Sequence, residues 1–238
     1  MDLKETEILG DQIERHWYYV AKSAAMLQFL KGVPIRRILD VGAGSGFFAK
    51  QLLGSSDAEE AVCVDPGYVD EHDERHNGKP LRFRREVITS SADLVLMMDV
   101  LEHVDDDRAL LANYVAVTPK HASFLITVPA FRWLWSEHDV FLGHRRRYTL
   151  SEVEGMLPQV RLVRQRSSYF FGFVLPLAAV AHFGQKLSPS SVGRPRSGLK
   201  RHAPAVNRLL GWVCRTELPL LGHNSLAGLS VFCLAHKE

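Results

Sequence analysis

Three glycines follow an apolar run near the start of the chain, in a spacing suited to binding a nucleotide. The segment reads Arg37-Ile38-Leu39-Asp40-Val41-Gly42-Ala43-Gly44-Ser45-Gly46-Phe47-Phe48. It predicts a buried strand, a tight turn and the start of a helix, with bare backbone against which a ligand can lie. A dinucleotide fingerprint would need a glycine at Phe47, so the spacing argues against NAD.

Two later segments carry polar groups toward the same site. The run Ala61-Val62-Cys63-Val64-Asp65-Pro66 reads as an apolar strand that ends in a carboxylate, which can accept hydrogen bonds from both hydroxyls of a ribose. A third apolar strand begins near Ala92 and leads directly into Asp99-Val100-Leu101-Glu102-His103-Val104. We therefore expect these two strands to direct their chemistry at one edge of a sheet.

Together the three motifs resemble those of the class I S-adenosylmethionine (SAM) methyltransferases, in particular methyltransferase types 11 and 12 and the O-methyltransferases of ubiquinone biosynthesis. The resemblance extends from the helix near His16 to the helix after Tyr148. It implies an α/β, Rossmann-like fold with a seven-stranded, mostly parallel sheet and a reversed last strand. SAM would lie across the carboxyl ends of the first and fourth strands, with the acceptor above them.

The same resemblance implies a set of cofactor contacts. Val87 falls where related enzymes touch the adenine ring, and His103 lies beside SAM just past the fourth strand. A nucleotide-free scaffold is the alternative, because a fold does not fix a function. The expected contacts are Asp40, Gly42, Ala43, Gly44, Gly46, Asp65, Pro66, Val87, Met98, Asp99, Leu101 and His103.

Residues 129–148, here called the acceptor segment, combine aromatic, imidazole and guanidinium groups between a predicted fifth strand and the capping-box sequence Thr149-Leu150-Ser151-Glu152. These groups suit an apolar acceptor, proton transfer near neutral pH and an anion, respectively. We expect His138 to be the catalytic base, with Asp139 or Glu137 orienting it and His144 as the substitute. In the alternative interpretation, His138 only braces the loop.

Acceptor binding is expected from the acceptor segment and from an aromatic-rich N-terminal helix. The motifs W-S-x-H-D and G-H-x-R-R-Y look like those of bacterial methyltransferases of surface-polysaccharide, lipid and related secondary pathways. Methyl transfer from a sulfonium requires alignment and proton removal but no metal. The run of arginines could also be solvated, and the tyrosine structural. The expected acceptor contacts are Trp17, Tyr19, Trp133, Trp135, Arg146, Arg147 and Tyr148.

The last third of the chain contains an apolar stretch, residues 168–183, which is too short to span a bilayer and is interrupted by Pro176. We expect residues 168–222 to form a helical lid, with a dimer surface or a peripheral membrane contact as alternatives, the latter favoured by the basic segment that follows. Residues 1–34 would form a helix that covers the cofactor, residues 35–167 the SAM-binding core, and residues 223–238 the final strand.

Composition excludes several classes of protein. The net charge is +2, from 29 basic and 27 acidic residues, so there is no global demand for a nucleic-acid partner. Three cysteines without a C-x-x-C spacing indicate neither a disulfide framework nor a zinc site, and they fit a reducing cytoplasm, with the inner membrane as a possible neighbour. The charged N-terminus predicts no secretory signal. The alternatives to a small-molecule O-methyltransferase are an RNA or protein methyltransferase and a non-catalytic SAM-binding scaffold.

Overall fold

The computed structural model describes residues 10–187 and 203–238, which form a single eight-stranded sheet with helices on both faces. The strand order is β3-β4-β2-β1-β5-β6-β8-β7, and β8 runs antiparallel to both of its neighbours. The Rossmann-like fold with a reversed last strand is thus confirmed. The strands are β1 (Arg37–Val41), β2 (Glu60–Val64), β3 (His72–His76), β4 (Lys79–Arg84), β5 (Leu94–Met98), β6 (Ser123–Pro129), β7 (Leu162–Phe170) and β8 (Ser230–Lys237).

The eighth strand corrects the predicted count of seven. The additional strand lies in the polar and charged residues 71–80, where β3 pairs antiparallel with β4 at the edge of the sheet. The two strands are joined at Asn77 and Gly78, with φ values of 51° and 78°. Two successive residues with positive φ are what a tight hairpin with the twist of a sheet requires, and Asn-Gly meets that requirement well.

Seven helices connect the strands of the described residues. Asp106 caps α3 through a hydrogen bond from the Ala109 N–H, and Thr149 and Glu152 form the predicted capping box of α5. The N-terminal helix starts later than expected because His16 acts as its N-cap, after a 3-10 turn over Gly10–Arg15. The helices are α1 (Trp17–Phe29), α2 (Phe47–Ser55), α3 (Asp107–Val117), α4 (Glu137–Leu142), α5 (Leu150–Met156), α6 (Leu175–Leu187) and α7 (Pro204–Glu217).

Each face of the sheet has its own hydrophobic layer. Helices α1, α2 and α7 bury apolar side chains against one face, with Tyr19, Phe48 and Cys214 among them. Helices α3 and α5 cover the other face through residues such as Leu111 and Val153. This three-layer arrangement leaves the carboxyl ends of the parallel strands as the edge where loops can form a site.

The region predicted as a lid consists of the end of β7 and two helices, and β7 continues to Phe170, beyond the expected boundary at residue 167. Helix α7 packs on α1, where the Asn207 side chain accepts a hydrogen bond from the Trp17 N–H and donates one to the Arg15 carbonyl, both at 2.8 Å. Within the described ranges, no helix is both long and apolar enough to cross a bilayer. The basic residues Arg194, Arg196, Lys200 and Arg201 lie outside the described residues.

Candidate active site

The glycine loop turns the backbone sharply between β1 and α2. Gly42, Gly44 and Gly46 have φ values of 62°, 54° and 72°, which are accessible to glycine at little cost. A Cβ atom on Gly42 would lie 2.8 Å from Cγ2 of Val100. The amides of Gly42 and Ala43 both donate to the Val64 carbonyl, at 2.7 and 3.2 Å. The loop is therefore fixed from β2 and presents backbone without side chains.

Asp65 faces this loop from the carboxyl end of β2. Its carboxylate is nearly buried and accepts hydrogen bonds from the N–H groups of Gly44 at 3.2 Å and Gly67 at 2.9 Å. The Tyr68 hydroxyl donates to the Gly44 carbonyl at 2.7 Å, which ties the two loops together. A carboxylate accepts up to about four hydrogen bonds, so Asp65 fits a ribose diol lying on the loop.

The other predicted cofactor contacts near the strand ends differ in how far they are buried. Asp40 is 1 % exposed and accepts from the Ala49 N–H at 3.3 Å, so it holds the start of α2 from inside the protein. Met98 and Leu101 are buried at the end of β5 and just after it, whereas Pro66 is exposed.

The position of Val87 contradicts the expectation that it contacts the adenine ring of the cofactor. Val87 lines a cleft with Arg37 and Glu60, the first residues of β1 and β2, and thus lies away from the glycine loop. The reason is the connection from β4 to β5, which contains no helix and returns directly along the sheet to the amino-terminal side.

A buried ion pair joins α1 to the end of β5. Asp99 has a φ of 57°, and its carboxylate contacts the ammonium group of Lys22, which is fully buried. The Thr127 hydroxyl donates to Asp99 Oδ1 at 3.0 Å, and the Tyr18 hydroxyl lies 3.3 Å from Oδ2. Burial alone would raise the pKa of Asp99, but the Lys22 charge and hydrogen bond, with that of Thr127, hold it below its usual value. This pair pins α1 above the strand ends, where a cofactor-covering helix is expected.

Tyr18 and Lys22 were missed in the sequence, and Tyr19 was chosen in error. Tyr19 is completely buried, with its ring edge-on to Phe47 at 5.4 Å, so it cannot bind an acceptor. Neighbouring residues on a helix point about 100° apart, which gives Tyr18 the face that Tyr19 was expected to occupy. The i, i+4 spacing of Tyr18 and Lys22 is the signal that could have identified them.

Trp17 lies at the same end of α1 and remains available as an acceptor contact. Its ring packs edge-on to Phe171 at 5.9 Å. The indole Nε1 is buried and has no hydrogen-bond partner in the parts of the chain that are described.

Asp139 organises the acceptor segment. Ser136 and Asp139 form a capping box for the short helix α4, with the Ser136 N–H donating to Asp139 Oδ2 at 2.8 Å. The fully buried carboxylate also binds Arg147 Nε at 2.8 Å and His144 Nδ1 at 2.8 Å. Burial would raise the pKa of Asp139, but the hydrogen bonds of His144 and Arg147 hold it well below its usual value. Asp139 thus orients His144, which corrects the expectation that it orients His138.

His144 in turn lies over the turn that follows β5. Its Nε2 atom is 4.0 Å from Oε1 of Glu102, and its ring meets that of His103 edge-on at 4.8 Å. The Arg145 N–H donates to the Glu102 carbonyl at 2.7 Å and the Arg145 Nε to the His103 carbonyl at 3.0 Å. These bonds fasten the acceptor segment to the Leu101–His103 turn.

Glu102 places a carboxylate in the interior of the protein, at the turn that follows β5. It is fully buried, and neither carboxylate oxygen has a hydrogen-bond partner among the described residues. Burial, together with the nearby charge of Asp99, raises the pKa of Glu102 well above its usual value.

His138, the expected base, lies close to His144. Its ring centroid is 6.5 Å from that of His144. Burial lowers the pKa of His138 to about 4. The imidazole is therefore neutral at physiological pH, which is the form that a general base needs, and it is a weaker base than an ordinary histidine.

The three arginines 145–147 brace the acceptor segment, and for Arg146 and Arg147 this replaces the expected contact with the acceptor. The buried Tyr148 does the same, because its hydroxyl donates to Asp107 Oδ2 at 2.8 Å. Consecutive basic residues looked like an anion site because their acidic partners are distant in sequence. Arg145 pairs with Asp105, Arg146 with Asp107 at 3.2 Å, and Arg147 with Asp139.

The aromatic side chains of the segment meet the lid. Trp133 is 45 % exposed and stacks on Phe183 of α6, with the rings 9° from parallel and 6.1 Å apart. Trp135 is half-buried, and its N–H donates to the Arg132 carbonyl at 3.1 Å. An apolar surface therefore continues from the acceptor segment onto α6.

Comparison with solved structures finds the same fold at low sequence identity. A chain of the complex between the Haloferax volcanii Trm112 methyltransferase activator and a putative methyltransferase has 14% identity and a TM-score of 0.55, with 95% of this chain and 92% of that chain covered. A SAM-dependent methyltransferase from Archaeoglobus fulgidus has 14% identity and a TM-score of 0.54, covering 92% and 93%. The [4+2]-cyclase SpnF has 13% identity and a TM-score of 0.55, covering 91% and 80%.

A search of curated proteins finds no match. The sequence model described as "Methyltransferase domain" matches residues 13–169, which is more than half of the chain and includes the glycine loop, Asp65, Asp99 and the whole acceptor segment. The chain therefore belongs to the methyltransferase-domain family.

Proposed function

We propose that the enzyme transfers the methyl group of SAM to a hydroxyl of a small, lipid-linked or saccharide-linked acceptor. The observation that carries this proposal is the pair of imidazoles, His138 and His144, on the segment that follows β6. The arginines beside them are engaged by carboxylates, so the acceptor meets imidazole and aromatic groups rather than a cluster of cations. Such a site suits an uncharged hydroxyl better than a phosphate.

The cofactor would be held by the backbone of the glycine loop and, through its ribose, by Asp65. When bound, SAM would supply an activated methyl carbon for transfer to the acceptor oxygen, with the electron pair of the broken carbon–sulfur bond left on sulfur. His138 takes the proton of the attacking hydroxyl. Helix α1, fixed through Lys22 and Asp99, shields the reacting atoms from water.

The acceptor is expected to have an apolar part. Support comes from the continuous surface of Trp133 and Phe183 and from the exposed apolar side chains of the lid. The resemblance of the W-S-x-H-D motif points in the same direction, toward lipid and surface-polysaccharide pathways. The exposed apolar side chains of the lid are Phe173, Leu177, Val180 and Phe183 before the undescribed segment, and Val206, Leu209, Trp212 and Leu220 after it.

Labelled methyl transfer tests the proposal. Full-length enzyme is incubated with methyl-labelled SAM and panels of phenols, sugars and polyprenyl-linked saccharides, and the products are analysed by mass spectrometry. We expect an O-methylated product, a rate at least about 100-fold lower in His138→Gln, and an unchanged affinity for SAM. The matched control is His223→Gln, since His223 is exposed and lies outside the site. An N-methylated product, or equal rates in His138→Gln and the unaltered enzyme, would reject the proposal.

The same assay separates the alternatives. Label recovered in RNA or in protein would favour a macromolecular substrate, and SAM binding without transfer to any acceptor would favour a scaffold. A peripheral membrane role for the lid predicts flotation of the enzyme with anionic vesicles and its loss in Leu177→Asp. A lid that only covers the acceptor predicts no flotation, and a dimer predicts a doubled mass in solution.

A further inference from the structure

We infer that Glu102, His103 and His144 form a binding site for a divalent transition-metal ion. The three residues are here called the EHH cluster. Their ligand atoms, one carboxylate oxygen and two imidazole nitrogens, all lie within 4.8 Å of one another. Metal binding by the cluster does not depend on the proposed function, but the role given to the ion below rests on it. The inference reverses the sequence-based expectation that no metal takes part.

The first argument is the carboxylate of Glu102. It is completely buried, and within the described ranges both of its oxygens lack hydrogen-bond partners. An unsatisfied buried polar group costs about 1–3 kcal/mol, and a charged one costs more, so natural proteins rarely keep such a group without use. A bound cation would satisfy both the oxygens and the charge.

The second argument is the orientation of His144. Asp139 Oδ1 lies 2.8 Å from Nδ1, so the Nδ1–H bond is directed at this carboxylate and the Nε2 lone pair faces Glu102. In metal sites, a histidine that binds the ion through one ring nitrogen commonly donates its other N–H to a carboxylate, because the carboxylate fixes the ring and its tautomer. Arg147 and Ser136 fix Asp139 in turn.

The third argument is distance. His144 Nε2 and Glu102 Oε1 are 4.0 Å apart, which is too long for a hydrogen bond between them. Ligands of a tetrahedral Zn²⁺ ion at about 2.1 Å from the metal are about 3.4 Å from one another. Side-chain rotations that move the cluster's atoms by about 1 Å would therefore complete the coordination. His103, at the end of the same 3-10 turn as Glu102, meets the ring of His144 at 4.8 Å and supplies the third ligand.

The donor set indicates the kind of ion and its role. Two imidazoles and one carboxylate favour Zn²⁺, Fe²⁺, Co²⁺ or Mn²⁺ over Mg²⁺ and Ca²⁺, which prefer oxygen ligands. Three protein ligands leave a position open for another oxygen. With the ring of His138 only 6.5 Å from that of His144, an acceptor hydroxyl in that position would lose its proton more readily, toward His138.

Metal titration of the whole chain tests the inference. Protein freed of metal by a chelator is dialysed against Zn²⁺, and bound metal is measured by mass spectrometry; Co²⁺ absorption in the visible range reports the ligand set. We expect one equivalent of either ion per chain, without competition from equimolar Mg²⁺. Glu102→Gln and His103→Ala should each weaken binding by more than about 10-fold, and Asp139→Asn by about 10- to 100-fold.

Glu102→Gln is the decisive variant, because it keeps the size of the side chain and removes only the charge. His223→Ala, in an exposed histidine outside the cluster, should bind Zn²⁺ as the unaltered protein does. Circular dichroism verifies that each variant is folded. The inference is overturned if no stoichiometric Zn²⁺ binds, or if Glu102→Gln and the unaltered protein bind it equally. SAM titration and methyl-transfer assays of the same samples keep the two proposals apart, since SAM binding and O-methylation without Zn²⁺ would reject the role given to the ion and leave the proposed function standing.

Discussion

The glycine loop and the acceptor segment lie at the same edge of the sheet but are built in different ways. The loop is determined locally, because Gly42, Gly44 and Gly46 have positive φ values that other residues adopt with strain. The acceptor segment, residues 129–148, is held by charges distant in sequence, with Arg145 and Arg146 bound to aspartates before and at the start of α3. Local backbone geometry can be read from a sequence, whereas a network of buried charges must be seen in the folded chain. The predictions below test whether the two regions act independently.

The largest effect should follow from Asp139→Ala. The change leaves Arg147 and His144 without their carboxylate in a buried site, and breaking a buried ion pair in this way costs about 3–5 kcal/mol of the free energy of unfolding. Urea unfolding measures it. Glu137→Ala, in the same helix but exposed, should cost less than about 0.5 kcal/mol.

SAM affinity, measured on the folded fraction of Asp139→Ala, should stay within about twofold if the loop is independent. A loss of SAM binding that parallels the loss of stability would show that the two regions form one unit.

Gly42→Ala should damage the cofactor loop in particular. Besides the strain of a φ of 62°, the new Cβ would lie 2.8 Å from Val100. We expect a loss of about 2 kcal/mol in stability and at least about 10-fold in SAM affinity. Gly32→Ala carries the same kind of strain, with a φ of 82° and open space around the Cβ, so it should cost about 1 kcal/mol and leave SAM binding unchanged. Equal SAM affinities in the two variants would contradict this account.

The stability of the acceptor segment should depend on pH through His138. Its pKa is lowered from 6.5 to about 4, so between these values the unfolded chain binds more protons and stability falls as the pH falls. From pH 7 to pH 5 the unaltered protein should lose about 1–2 kcal/mol more than His138→Asn. Urea denaturation at several pH values measures the difference. Parallel profiles for the two proteins would place His138 in solvent.

The smallest effect should follow from Tyr18→Phe. It removes one hydroxyl, 3.3 Å from Asp99 Oδ2 and 3.2 Å from Lys22 Nζ, and retains the ring that stacks on Phe171. A loss of about 1 kcal/mol is expected. Tyr19→Phe is the matched control in the adjacent core residue. If the Tyr19 change alters SAM affinity more than the Tyr18 change does, the assignment of α1 faces is wrong.

Most of the fold could be predicted from the sequence. Apolar runs of strand length and the capping box at Thr149 depend on neighbours within a few residues, and the structure confirms these elements. The missed hairpin was also local. The Asn77-Gly78 pair is a strong turn signal, but the charged residues before it favoured a loop.

The candidate site was less predictable, because its pairings cross long distances in sequence. Nothing near Arg145 indicates that it binds Asp105, 40 residues earlier. The Ser136-x-x-Asp139 spacing did contain the capping box of α4, a local signal that Asp139 is engaged at the start of its own helix. The burial of Glu102 is a property of the assembled fold alone.

Calorimetric titration with SAM and with S-adenosylhomocysteine tests the central claim most directly. The Asp65 carboxylate at the glycine loop is expected to hold the ribose, so the unaltered chain should bind one equivalent, and Asp65→Asn should weaken binding by about 10- to 100-fold. Asp70→Asn, in the same connection but exposed, should bind as the unaltered chain does. No heat with either nucleoside, or equal affinities in Asp65→Asn and Asp70→Asn, would contradict the account.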